Sequence, residues 1–265
     1  MERIKIKITR LSPMSLWLGI AVCIIWQIYS YIHPSSNFYI SKPSEIMFEF
    51  WKMIVDEGLS AHFIVTGIEA LCGILLGTIL GSISGLYLWY SNLIKKILMP
   101  YVLALSSFPI FAFAPLLIVW FGLGMGMKIA IAAFATFFIS LSQANKGASS
   151  VSQTSIDTLL GMRADKKDIF RKIIVPGSIE WVLNSTRLNV GTGLMGAFIG
   201  EFISSQSGLG YLILRASGLY NVSRAIAASL GIVILAFLFD YIAKIIEKRR
   251  YTLVQYMSIP TIYRK

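Results

Sequence analysis

Two histidines, two cysteines and thirteen acidic residues are all that this chain of 265 residues brings to acid–base, nucleophilic or metal chemistry. Their spacing builds none of it. His33 and His62 stand apart, without the H-E-x-x-H pairing that sets two imidazoles on one helix face, and no C-x-x-C or paired carboxylates accompany them. Cys23 and Cys72 lie inside apolar blocks and read as packed thiols with no disulfide framework. No serine sits in G-x-S-x-G. The glycine-rich FGLGMGMK lacks both the G-x-x-x-x-G-K-[ST] spacing and the strand-turn-helix setting of a phosphate cradle. No catalytic residue and no metal ligand is assigned, and the sequence argues against an enzyme.

The remaining charges fall into two kinds. Glu69, Glu201 and Asp240 are acids within or beside apolar blocks, where an ionised side chain is costly and often functional. Residues 155–176, SIDTLLGMRADKKDIFRKIIVP, form instead a charged, helix-prone island between two long apolar blocks.

Those apolar blocks define the class of protein. Hydrophobic residues make up 56% of the chain and charged residues only 14%, with a mean hydropathy of +0.71. Several blocks run for about 20 residues, enough at about 1.5 Å per residue to cross a hydrocarbon core of about 30 Å. The expectation is an all-α integral membrane protein, helical because backbone groups in lipid must be satisfied within their own segment. The formal net charge of +11 reads as the accumulation of Lys and Arg in cytoplasmic loops rather than as a nucleic-acid surface.

Taken in order, residues 1–15 are a basic cytoplasmic tail and 16–32 a first span, retained as an anchor because no small-x-small cleavage site follows it. Residues 33–62 form an outer loop with a short interfacial helix capped by Ser41 or Ser44. The core, 63–250, holds spans at 63–90, 97–121 (interrupted by Pro100, Pro109 and Pro115), 129–141, 183–203 and 225–246, and 251–265 is a second cytoplasmic tail. Six crossings put both termini and every basic cluster in the cytoplasm. The chain forms a single domain, and no internal repeat of the kind found in inverted-repeat transporters is visible. Gly73, Gly77, Gly81 and Gly85 recur every fourth residue and fall on one helix face, a seam for close helix packing. Gly196 and Gly200 make a similar pair.

Within the charged island, Ser155 is a candidate cap for a first helix, Asp165 starts a second, and Pro176 is expected to stop it. A helix-turn-helix on the membrane surface is a natural docking knob, or else a solvated connector.

The island resembles the signature loop of bacterial ABC importer permeases, E-A-A, three residues, G, nine residues, I-x-L-P. Asp157, Thr158 and Leu159 stand at E-A-A, Arg163 at the glycine, and Ile173, Val175 and Pro176 at I-x-L-P. STRLNVGTGLMGAFIGEF, SGLGYLI, the closing KIIEKRR and APLLIVWFGLGMGMK are similar to the nitrate/sulfonate/taurine/bicarbonate branch of that family. The resemblance implies a type I ABC importer-like fold in the bacterial inner membrane. It implies two permease copies, identical or related, with a periplasmic or lipid-anchored substrate-binding protein on one side and ABC ATPase subunits on the other. ATP and Mg²⁺ would bind the ATPase, and this chain would bind no cofactor. The coupling loop would comprise Asp157, Thr158, Leu159, Arg163, Ala164, Phe170, Ile173, Val175 and Pro176, with Phe170 and Ile173 as apolar anchors for the ATPase. In this chain Arg163 must take an ordinary backbone conformation or strain it.

Residues 189–201 mix small and polar side chains, which makes Asn189, Thr192 and Glu201, with Arg215 beyond them, the expected substrate pathway. The implied solute is small and anionic or sulfonate-like. The competing class is a self-sufficient secondary transporter or channel, for which Glu69, Glu201 and Asp240 are the only acids that could couple flux to ions.

Overall fold

The structure, a computed structural model, describes residues 13–34, 37–203 and 206–257. Most of the expected first tail and residues 258–265 of the second lie outside them. The described residues form helices joined by short turns, with no strand among them, in the order α1 Pro13–Ile32, α2 Asn37–Ile40, α3 Pro43–Val55, α4 Leu59–Tyr87, α5 Asn92–Ser106, α6 Ala114–Phe121, α7 Met125–Ser150, α8 Gln153–Gly161, α9 Lys166–Ile169, α10 Val175–Ile203, α11 Leu209–Gly218 and α12 Val222–Met257.

Among the described residues, three segments are long and apolar enough to cross a membrane on their own: Leu59–Tyr90, Met125–Ser150 and Val222–Glu247. The other three expected spans take different forms. The apolar part of α1, Trp17–Ile32, is shorter. The expected span 97–121 is two helices, α5 and α6, separated by a break at Pro109 and a 3-10 turn at Ile110–Phe113. Proline 109 supplies no amide hydrogen to continue α5, and Pro115 sits in the first turn of α6, where none is needed. The expected span 183–203 lengthens to 29 residues as α10. Its centre is polar because it faces protein: Ser178, Ser185 and Asn189 are all buried.

The core is α4, α7 and α10, packed together along most of their lengths. Glycine makes that possible. A Cβ built at Gly73 would lie 2.3 Å from the Ala132 Cβ, one at Gly77 2.3 Å from the Ala133 carbonyl oxygen, and ones at Gly81 and Gly85 each 2.2 Å from carbonyl oxygens of Phe137 and Leu141. All four therefore face α7 at backbone contact distance. Gly196 meets the Ala132 Cα and Gly200 the Lys128 Cα in the same way, from α10. Helix α7 continues nine residues past the Leu141 end expected for its span, because its last turns stay packed: Gly147 touches Trp181 and Ser178 of α10.

Helix α12 lies outside this core against α10, α11 and α3. The expected interfacial helix is α3, with Ile46 and Met53 buried. Neither serine caps it. Residue Lys42 occupies the cap position, and Gln27 of α1 serves Ser44 instead, accepting from its backbone N–H at 3.1 Å and donating to its hydroxyl at 3.2 Å. Ser41 is buried against α12, its hydroxyl 2.6 Å from that of Ser223.

Candidate functional site

The charged island folds as a compact hairpin at one end of the core. Its first helix is capped by Ser152, not Ser155: the Ser152 hydroxyl accepts from the Ser155 N–H at 3.3 Å. Asp157 is exposed and accepts from Gln153 at 3.0 Å, while Thr158 donates to the Thr154 carbonyl at 2.8 Å. The helix ends in a Schellman turn, with the Ala164 N–H donating to the Leu159 carbonyl at 3.0 Å and the Arg163 N–H to the Leu160 carbonyl at 2.9 Å. Arg163 holds the left-handed position of that turn at φ +59°. The geometry that glycine normally supplies is kept, and the side chain bears the strain.

Asp165 caps the second helix as expected, accepting from the Asp168 N–H at 2.6 Å. Pro176 does not stop it. A π-turn at Phe170–Ile174, in which the Val175 N–H donates to the Phe170 carbonyl, leads directly into α10. Adding one residue to the turn moves the carbonyl that a proline ring would otherwise strike. The hairpin is thus continuous with a core helix.

Phe170, expected as an apolar anchor, is half-buried and packs on the end of α4. Its ring packs against Tyr90 at 4.8 Å, Tyr87 at 5.7 Å and Trp89 at 5.9 Å, all at the end of α4. Lys166 donates to the Tyr90 carbonyl at 2.7 Å and lies 5.7 Å from the Trp89 and Tyr90 rings. Leu159, Ala164 and Ile169 belong to the same apolar cluster, while Ile173 and Val175 are half-buried and Pro176 exposed. The apolar groups left pointing outward are Leu160, 53% exposed, and Met162, 73% exposed. Sequence reasoning named neither as a contact residue; nothing local distinguishes Leu160 from Leu159 beside it, which packs inward.

At the opposite end of the core, three ionisable side chains are buried together. Glu69 of α4 pairs with Lys128 of α7 at 2.5 Å, and both are almost fully shielded. Glu201 of α10 is fully buried beside them and accepts from the Thr66 hydroxyl at 2.6 Å and the Gly210 N–H at 2.7 Å. Thr66 in turn accepts from the Leu209 N–H at 2.8 Å, and His62 Nδ1 from the Gly208 N–H at 2.9 Å. A single knot therefore ties α4, α7 and α10 to the start of α11. Gly208 has φ +106°, and a Cβ there would lie 2.1 Å from the Glu201 carboxylate, so the SGLG turn can close over the acid only with glycine at this position. The sequence offered Lys128 as part of a turn; its only distinguishing mark was a lysine opening an apolar run.

The expected pathway residues separate. Asn189 is buried and donates to Thr78 at 2.8 Å and Ser140 at 2.6 Å, Glu201 sits in the knot, and Arg215 is exposed on α11. Thr192 faces a cavity of about 330 Å³ at the α5–α6 break, walled by Ser106, Phe108, Phe134, Phe138 and Met195.

Fold and site together define an all-helical, multi-pass membrane permease with a surface hairpin. Residues 73–251 match the binding-protein-dependent transport system inner membrane component family, and the chain belongs to it. It is 30% identical over 227 residues to a probable ABC transporter permease protein of Haemophilus influenzae, covering 86% of this chain and 91% of that one. It is 25% identical to the putative aliphatic sulfonates transport permease protein SsuC of Bacillus subtilis, over 88% of this chain and 85% of the relative. Among solved structures, an inward-facing form of the MetNI methionine ABC transporter superposes with a TM-score of 0.64 at 16% identity, over 72% of this chain and 95% of that one, a likeness of fold. The chain is the permease component of a binding-protein-dependent ABC importer.

Proposed function

We propose that the hairpin of α8, α9 and the π-turn is the coupling element on which a separate ATP-hydrolysing subunit docks, and that its contact face is Leu160 and Met162. The observation that carries this is their exposure on a hairpin whose Ile156, Leu159, Ala164, Ile169, Phe170 and Ile174 instead pack with Leu86, Trp89 and Ala148 at the ends of α4 and α7. The continuous path from the π-turn into α10 lets a push on the hairpin reach the core as a rigid movement. ATP and Mg²⁺ belong to the docked subunit. Two permease chains, identical or related, enclose the pathway between them, and a separate binding protein delivers the solute to the α11 end. The hairpin end is cytoplasmic, because Lys95, Lys96 and the basic residues of the hairpin cluster there. The solute is small, organic and anionic, as the sulfonate permease among the relatives suggests.

The test is reconstitution with the ATPase and binding protein in proteoliposomes. Uptake of a small alkanesulfonate is expected only with ATP and all components, and Leu160→Asp and Met162→Asp are each expected to abolish co-purification of the ATPase. Uptake that persists without the ATPase would overturn the reading in favour of a self-sufficient transporter. Loss of uptake with undisturbed co-purification would move the docking face elsewhere.

A further inference from the structure

A groove between α10 and α12 has the dimensions and polarity of one phospholipid. On α10, Arg187, Val190, Gly191, Leu194 and Phe198 lie along one face, each three or four residues from another of the set. On α12, running the other way, Asp240, Phe237, Ala236, Val233 and Ser229 do the same. Two hollows lie between these faces, about 370 Å³ and about 310 Å³, and both are bordered by Gly191 and Ala236, so they form one trough. A Cβ built at Gly191 would meet no atom within 4 Å, which marks the middle of the trough as open space. Its flank is open too, with Phe237 and Met195 largely exposed.

The two ends differ in chemistry. Near the hairpin end, Arg187 Nε lies 3.3 Å from Asp240 Oδ1, and Lys244 pairs with the other oxygen of the same carboxylate. Two cations share one acid, so the trio keeps a net positive charge, and both cationic side chains remain 47% exposed. The helix sequence then reads EKRR. From Arg187 to Phe198 the trough advances by ~16 Å at the helical rise, close to one leaflet of a hydrocarbon core about 30 Å thick. Over that length it offers almost only apolar wall.

We infer that this trough binds an anionic phospholipid, its phosphate on Arg187 and Lys244 and one acyl chain laid along Gly191 toward Phe198. Asp240 stays between the two cations and fixes their separation; it does not face the phosphate. The charge at one end selects anionic over zwitterionic headgroups, since only the former has no cation of its own to be repelled.

The experiment is native mass spectrometry of the full-length permease extracted from vesicles of equal phosphatidylglycerol and phosphatidylcholine. Wild type is expected to retain phosphatidylglycerol in excess by about tenfold, the equivalent of one charge-assisted contact. Lys244→Gln is expected to remove most of that preference while leaving the Arg187–Asp240 pair in place. Gly191→Leu, which fills open space and leaves every charge intact, is expected to lower retention of both lipids. Size-exclusion profiles and helical content verify that each variant is folded. Equal retention of the two lipids by wild type, or no effect of Gly191→Leu, would overturn the inference. Displacement by inorganic phosphate alone would replace it with a soluble-anion site. Disulfide cross-linking of Phe237→Cys between two copies in the bilayer would replace it with a permease–permease contact.

Discussion

At the α11 end of the core, Glu69, Lys128 and Glu201 are held out of water by one another, by Thr66 and by backbone N–H groups, whereas at the hairpin end Phe170 and Lys166 rest on a shelf of Tyr87, Trp89 and Tyr90. The first arrangement is all or nothing. Desolvated charges lose several kcal/mol when a partner is withdrawn, so this joint holds one geometry and tolerates little change. The second is apolar and aromatic, with modest energies that grade smoothly with contact area. A permease that must transmit movement has reason to keep a stiff joint where its core helices meet α11 and a forgiving base at the hairpin end. The two turns differ in the same way: Gly208 admits a carboxylate that no side chain could clear, while at the hairpin turn an arginine stands where glycine would be easier.

Substitutions can break or sharpen this contrast. The largest effect is expected for Lys128→Met, which leaves two carboxylates facing each other in a dry site and should cost about 3–5 kcal/mol, read as thermal unfolding in lipid nanodiscs. Adding Glu69→Leu should recover most of the loss, because removing both partners of a buried pair is far cheaper than removing one. A loss below about 1 kcal/mol for Lys128→Met would show that the site is wet and that its charges behave like surface pairs. Gly77→Val should come next, at about 1–3 kcal/mol from overpacking against α7, with the same readout.

At the hairpin, Phe170→Ala should lower stability by about 2 kcal/mol, less than a fully buried phenylalanine because the ring is half-exposed. Leu160→Asp and Met162→Asp should change stability by no more than about 0.5 kcal/mol, as surface substitutions do. If these two also unfold the protein, the hairpin is not the forgiving end. One substitution is expected to run the other way: Arg163→Gly relieves a left-handed arginine and should stabilise the turn by about 1 kcal/mol, seen as slower proteolysis of the loop.

The helices themselves, the four-residue glycine seam and the start of α9 at Asp165 were legible in the sequence, because each depends on neighbours within one or two turns. The orientation of Phe170 was not. Its aromatic shelf comes from residues 87–90, some eighty positions away, so an aromatic on a charged loop looked like an exposed anchor. Pro176 misled for a related reason. A proline is read as a stop, and only the π-turn before it, favoured by packing of Ile169 and Ile174 into the hairpin core, lets the helix run on. The pathway residues were chosen for polarity along α10, yet a helix in a bundle turns polar groups toward protein as readily as toward a cavity, and Asn189 and Glu201 did so.

By itself the sequence determined a membrane-embedded helical permease with a charged surface hairpin, because hydropathy over twenty residues, small-residue spacing and a loop motif are all local properties of a chain. Only the tertiary structure decided which charges meet. Glu69 and Lys128 are 59 residues apart, and Glu201 is farther still; no local rule pairs them, and only the close approach of α4, α7 and α10 over their glycines brings Glu69 to Lys128 and Glu201 to Thr66 and the Gly210 N–H.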